Sequence, residues 1–178
     1  MKKGQNSNVY IDGANLYKGI NQLGWQLDYT RFRVWLNDKY RINRAYLFIG
    51  LIPKYKALYT FLQEAGYTLI FKETTYDHDG KAKGNCDADL VVQVMRDVFE
   101  HNIEGAVLIT GDGDFASLVQ FLQEKGKLIS LLAPDNMKCS ILLKRTNAPI
   151  TYLKELRSIL ALNEKAPGKD ETLPGSFS

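Results

Sequence analysis

Residues 106–132 read AVLITGDGDFASLVQFLQEKGKLISLL. The apolar run at 106–110 has the length and the β-branched content of a strand. Gly111-Asp112-Gly113-Asp114 interrupts it. Residues 115–124 then carry apolar side chains at helical spacing, and Lys125-Gly126 closes that helix as a C-terminal stop. A second apolar strand follows at 128–132. Strand, helix and strand in such a short stretch make a βαβ unit, which requires the two strands to run parallel.

The same alternation extends in both directions. Val9-Tyr10-Ile11 predicts a first strand, residues 44–49 a second and residues 67–71 a third. Between them lie helix-length segments. Residues 30–40 place Phe32, Trp35 and Leu36 on one face, and residues 54–65 turn Leu58, Phe61 and Leu62 inward before Gly66. Residues 86–99 form a third long helix. Two weaker elements are expected at 141–144 and 152–160. The strands are continuous apolar runs rather than alternating ones, as suits strands buried on both faces. The reading is an α/β fold whose parallel sheet of five strands is covered by helices on each side.

Composition sets the outer bounds. The chain has 178 residues, 45% hydrophobic and 24% charged, enough for one domain of about 150 residues plus ends. The domain is expected over residues 8–162. Residues 163–178, NEKAPGKDETLPGSFS, hold Pro, Gly, Ser and charge with little to bury, and are expected to be a disordered tail. No apolar core follows Met1-Lys2-Lys3, so no signal peptide is expected, and no apolar run is long enough to span a bilayer. Cys86 and Cys139 are far apart and lack CxxC partners, which excludes a disulfide framework and points to a reducing cytoplasm. The net charge of +3 is compatible with a nucleic-acid partner without demanding one.

In parallel α/β sheets, ligands sit beyond the carboxyl ends of the strands. The first strand ends in Asp12-Gly13-Ala14-Asn15, and the fourth in Thr110-Gly111-Asp112-Gly113-Asp114. With parallel strands, Asp12, Asp112 and Asp114 emerge on one edge. The third long helix has an inward stripe of Leu90, Val91, Val94, Met95 and Val98. Asp87 leads that stripe, so it points inward, while Asp89 falls on the solvent face with Gln93, Arg96 and Glu100. Carboxylates about 4 Å apart repel by roughly 4 kcal/mol per pair at an effective dielectric of 20. Protons or a cation must offset that. Oxygen ligands suit Mg²⁺ or Mn²⁺, and His78 and His101 are not paired at a spacing that would favour zinc. Each acid also has a purely structural reading. Asp12 can cap the turn after its strand, Asp87 can serve a helix dipole, and Asp112 or Asp114 can cap the next helix.

Three stretches carry a family resemblance. Val9-Tyr10-Ile11-Asp12-Gly13-Ala14-Asn15-Leu16-Tyr17, Lys83-Gly84-Asn85-Cys86-Asp87-Ala88-Asp89-Leu90 and Leu108-Ile109-Thr110-Gly111-Asp112-Gly113-Asp114-Phe115 resemble, in order and spacing, the NYN domain, a branch of the PIN-like nuclease superfamily. The resemblance implies a three-layer α/β/α PIN-like domain with a mainly parallel five-stranded sheet in the flavodoxin-like order 3-2-1-4-5. It implies a Mg²⁺- or Mn²⁺-dependent ribonuclease acting on single-stranded or structured RNA. Asp12, Asp87 and Asp112 then look like the core acids and Asp114 like a fourth. Asn15 looks like a polar partner that holds a water or an acid, and Thr110 matches a Ser/Thr position near the metal. Gln93 stands where many relatives carry another acid, and Cys86 replaces a more usual aliphatic residue.

Phosphates must be held beside such a pocket. Lys83, just before the Asp87 helix and after the turn-forming Asp79-Gly80, is the foremost candidate. A hairpin over residues 71–83 would form a flap. Tyr17, Tyr55 and Tyr76 are candidates to stack on bases, and Lys54, Lys56, Lys81, Lys138, Lys144 and Arg145 would form a positive rim. The alternative is a non-catalytic RNA-binding or regulatory module that keeps the fold. A phosphotransfer domain ranks lower, because Asp12 lacks a second acid two residues on. The amphipathic segment with Tyr152, Leu153, Leu156, Ile159 and Leu160 is expected to pack on its own domain, with a homodimer as the other possibility.

Overall fold

The computed structural model describes residues 6–73, 75–76, 82–83, 86–100 and 102–163. The expected tail beyond residue 163, the turn at Asp79-Gly80, both histidines, Lys81 and Asn85 lie outside the described residues.

The chain begins with β1 (Ser7–Asp12), α1 (Gly13–Gln22), α2 (Tyr29–Tyr40) and β2 (Ile42–Leu51). After a single 3-10 turn come α3 (Lys56–Glu64) and β3 (Tyr67–Glu73). Two short strands, β4 (Thr75–Tyr76) and β5 (Ala82–Lys83), pair antiparallel as a separate hairpin. Then follow α4 (Asp87–Phe99), β6 (Gly105–Ile109), α5 (Ala116–Glu124), β7 (Leu128–Ala133), α6 (Ile141–Lys144), β8 (Ile150–Tyr152) and α7 (Arg157–Leu160).

The central sheet runs β3-β2-β1-β6-β7-β8, and every neighbouring pair in it is parallel. With the small hairpin set aside, this is the expected 3-2-1-4-5 order plus one more strand. The sheet therefore has six strands rather than five. The sixth, β8, is only three residues long and half-buried, too short for periodicity to mark it. It is fixed by pairing with Leu131, Leu132 and Ala133 of β7.

The helices cover both faces, making three layers. One core layer lies under α1, α2 and α3, with Leu16, Ile20, Phe32, Leu36, Leu58 and Leu62 packed on Val9, Ile11 and Leu47. The other lies under α4 and α5, with Leu90, Val94, Val98, Val119 and Leu122 packed on Tyr10, Tyr46 and Leu108. Alternate β1 residues thus feed opposite layers, as the two-residue side-chain period of a strand requires. Phe61, expected to face inward, is 40% exposed; Tyr59 takes the inward position.

Helix α1 has no counterpart in the sequence expectation. Its sequence, GANLYKGINQ, carries two glycines and two asparagines, poor helix formers that mask the periodicity of buried Leu16 and Ile20. Gly13 is needed there: a Cβ would stand 2.7 Å from the Phe48 carbonyl oxygen and 2.5 Å from an Ile49 methyl. The C-terminal amphipathic segment packs on its own domain, with Leu153 and Leu160 fully buried. It bonds back through Asp28 N to Leu160 O at 2.9 Å and Leu162 N to Gln26 O at 2.8 Å. Among the described residues, no helix is long and apolar enough to cross a membrane.

Candidate functional site

The parallel register brings the first and fourth expected motifs together. Ile11 pairs with Ile109, so Asp12 and Thr110, each one residue further on, leave the sheet side by side. Helix α4 returns from the carboxyl edge of the sheet towards its amino edge, which puts Asp87, in its first turn, at that same edge. A 3-10 turn at Gly113–Phe115 then carries Asp112 and Asp114 around the rim.

The carboxylates of Asp87, Asp112 and Asp114 each place an oxygen within 4.8 Å of the others. Asp87 and Asp112 are half-buried, and Asp114 is exposed. Three oxygen donors of this kind at this spacing fit a hard divalent cation, and a bound cation would relieve the mutual repulsion of the three charges.

Asp12 stands one step behind this group, its two oxygens engaged within the protein. Oδ1 accepts from the Asn15 backbone N–H at 3.1 Å, and Oδ2 from the Thr110 hydroxyl at 3.0 Å. Burial pushes its pKa up to about 6, with Asp87 and Asp112 adding to the rise and the two donors opposing it. Asp12 is also the N-cap of α1, so its structural reading holds together with its place at the site. Asp112 likewise caps its turn, accepting from the Asp114 N–H at 3.0 Å.

Asn15 and Thr110 tie the motifs to each other. The Asn15 side-chain oxygen accepts from Gly111 N–H at 2.7 Å. Thr110 is fully buried, and its Oγ1 accepts from Asp112 N–H at 3.1 Å while donating to Asp12. Asn15 thus holds the neighbouring loop, and Thr110 couples two of the acids. Cys86, the residue before α4, is half-buried. Burial pushes its thiol up to about 11, and Asp89, Asp12 and Asp87 push in the same direction. It is a neutral thiol against the acids.

The other expected residues divide. Tyr17 is partly buried and packs against the core layer under α1. Burial raises its hydroxyl pKa, as does the neighbouring Tyr55. The Tyr55 ring carries the Lys54 ammonium at 4.8 Å. Lys83 lies on β5, opposite Thr75. Asp89 is not simply solvated: it is half-exposed and pairs with Lys72 at 3.4 Å, a residue on the adjoining β3. Gln93 does not point to solvent either. It donates to Asp97 at 2.9 Å, on the side of α4 that faces the sheet.

One part of the site was missed. The loop after β7 lies against the acidic turn, with Ser140 N–H donating to Gly111 O at 3.0 Å. A Cβ on Gly113 would fall 2.3 Å from Ser140 Oγ and 3.2 Å from a Leu142 methyl. The signal was the glycine between Asp112 and Asp114, which marks close approach of another segment but not which one.

A family model described as the NYN domain matches residues 6–153. The chain is 26% identical over 167 residues to the Low amplitude and bright protein LabA of Synechococcus elongatus, a match covering 88% of each protein. A solved structure, that of a Vibrio parahaemolyticus protein of unknown function, superposes with a TM-score of 0.75 at 19% identity, covering 91% of this chain and 99% of that one. That likeness bears on the fold.

Proposed function

The chain belongs to the NYN domain family, and on that premise we propose that it is a metal-dependent endoribonuclease, hydrolysing RNA phosphodiester bonds with Mg²⁺ or Mn²⁺ held by its strand-end aspartates. The observation that carries this reading is the meeting of Asp87, Asp112 and Asp114 within 4.8 Å, from two separate stretches of chain, beside a half-buried Asp12. Asp87, Asp112 and Asp114 would hold the ion, with Asp12 joining them when ionised. A bound divalent ion supplies an oriented water and stabilises charge on the phosphodiester. The chain's own groups set the geometry. Thr110 and Asn15 hold Asp12 and the Gly111 loop in fixed relation, so the acids meet the ion with little reorganisation. Lys83 and Tyr17 are assigned to the substrate, as a phosphate contact and a stacking surface. The free thiols of Cys86 and Cys139 fit a reducing cytoplasm.

A second reading is a non-catalytic RNA-binding or regulatory module. One observation favours it: the bonds among Asp12, Asn15, Thr110 and Asp112 brace the loops even without an ion. The test compares the protein with Asp12→Asn and Asp112→Asn on labelled RNA in Mg²⁺, Mn²⁺ and EDTA. An enzyme shows cleavage that needs metal and falls by at least about 100-fold in both variants. Equal RNA binding by all three without cleavage establishes the module instead. Cleavage that ignores both substitutions is a contaminant's and counts against the enzyme.

A further inference from the structure

The segment 137–145, MKCSILLKR, follows β7 and carries three cationic residues and no acid. Met137 is 80% exposed, Ile141 57% and Leu142 49%. Nowhere else among the described residues do three exposed large apolar side chains fall within six positions. Exposed clusters of this kind mark binding surfaces.

This patch is continuous with the acidic site. The Leu142 methyl that a Cβ on Gly113 would meet lies beside the residue flanked by Asp112 and Asp114. The segment is also held rigid. Lys154 binds Asp135 at 2.9 Å and the Asn136 side-chain oxygen at 2.6 Å. Lys144 donates to Asn136 O, and Lys138 to the Gln22 side chain at the end of α1, each at 2.7 Å. Backbone bonds from Cys139 to Asp135 and from Ser140 to Gly111 fasten the loop between them.

A rigid, cationic, partly apolar surface abutting a cluster of acids suits a ligand that is both anionic and flat-faced. We propose that residues 137–145 form the strand-binding wall of the site, with single-stranded RNA as its occupant. The base next to the phosphate at the acids lies on Leu142 and Ile141, and the phosphates beyond it run past Lys138 and Arg145. Base faces stack on apolar surfaces without regard to sequence, and the cations supply the salt-dependent part of affinity. This rests on the ribonuclease reading for the identity of the polyanion. Ordinary exposed side chains are at stake, so substitution does not threaten the core.

The test uses the full chain and a fluorescein-labelled 12-nucleotide single-stranded RNA, with Ca²⁺ replacing Mg²⁺. A matched probe lacks one base at a defined position. The doubly substituted Ile141→Ser/Leu142→Ser protein should bind the intact RNA about 10-fold more weakly. It should also lose the wild type's discrimination against the abasic probe, a readout that mere loosening of the loop would not move. Lys138→Glu with Arg145→Glu should flatten the salt dependence by about two phosphate contacts. Calorimetric Mn²⁺ binding should survive in both proteins. If wild type binds this RNA, and cleaves it once Mg²⁺ is restored, while the serine variant binds it within two-fold, the wall is refuted and the ribonuclease reading stands. If wild type takes up Mn²⁺ yet binds no RNA, both fall. A change in oligomeric state on serine substitution with RNA binding intact assigns the patch to a second copy and overturns the proposal.

Discussion

Helix α4 carries Asp87 in its first turn and Asp97 near its last, and the fold surrounds the two in opposite ways. Asp97 is 4% exposed and meets only donors. The Tyr10 hydroxyl reaches it at 2.6 Å, Asn8 at 3.2 Å and Gln93 at 2.9 Å. Burial and this carboxyl together drive the Tyr10 hydroxyl pKa up, so Tyr10 stays a donor at any ordinary pH. Asp87 instead is brought within 4.8 Å of two further carboxylates, with Asp12 close behind. The acid among donors is a structural clasp joining α4 to β1. The acids facing one another repel in the free protein, and like charges brought together in this way mark a candidate binding site. Burial does not separate the two roles, since both acids are at least half-buried. The sign of the neighbours does.

The largest effect should come from breaking the clasp. Asp97→Ala leaves the Tyr10 hydroxyl and the Asn8 amide without their acceptor in a dry site. At about 1–3 kcal/mol for each stranded group, the loss is about 3 kcal/mol, and a domain of this size should melt roughly 6–12 °C lower. Thermal unfolding followed by circular dichroism checks this. Mn²⁺ binding by the folded variant should be unchanged, because the other end of α4 is untouched.

The site end should respond to pH with the reverse sign from an ordinary paired carboxylate. Asp12 rises from 3.8 to about 6 on folding, so the native state holds its proton more tightly than the unfolded chain does. The stability this lends is fully present below about pH 4 and is lost as pH rises through about 6. Two pKa units correspond to about 3 kcal/mol at most. Denaturant titrations in EDTA should therefore show the wild type losing up to that amount between pH 4 and 7 relative to Asp12→Asn. Added Mn²⁺ should recover part of it by favouring the ionised form. Parallel curves for the two proteins would show that Asp12 is not strained. Asp135 contributes in the opposite direction: its bond to Lys154 lowers its pKa, so its share is lost on acidification, and the difference between the two proteins cancels it.

The smallest effect belongs to Asp89, the other acid in the first turn of α4. Its pair with Lys72 is about 40% exposed on both sides, and such pairs contribute under about 0.5 kcal/mol. Lys72→Ala should shift the melting temperature by less than about 2 °C. A larger shift would mean that Lys72 also offsets the charge of the acidic edge, and would enlarge the site by one residue.

Much of this was legible before any coordinates. The apolar runs were long enough and the helix stops clear enough to place the first five sheet strands and helices α2 to α5, and family resemblance supplied their order. The motif acids could be assigned to one edge because parallel strands all end on the same side. Helix α1 was hidden because Gly13 and Gly19 serve close approach and Asn15 a loop contact, none of them chosen for helix propensity. Gln93 was placed on the wrong side of α4, because a polar residue was read as facing solvent. Its partner is another polar residue, and hydropathy cannot register a part-buried polar pair that satisfies itself.

The sequence by itself determined the alternation of strand and helix and which acids the chain invests in, since both follow from local pattern and spacing. Only the tertiary structure decided which acids face donors and which face each other, that Asp12 is drawn back by Asn15 and Thr110, and that the 137–145 segment lies against Gly113. Those outcomes depend on contacts between residues far apart in the chain, and no local preference for helix, strand or turn encodes which distant segment will become a neighbour.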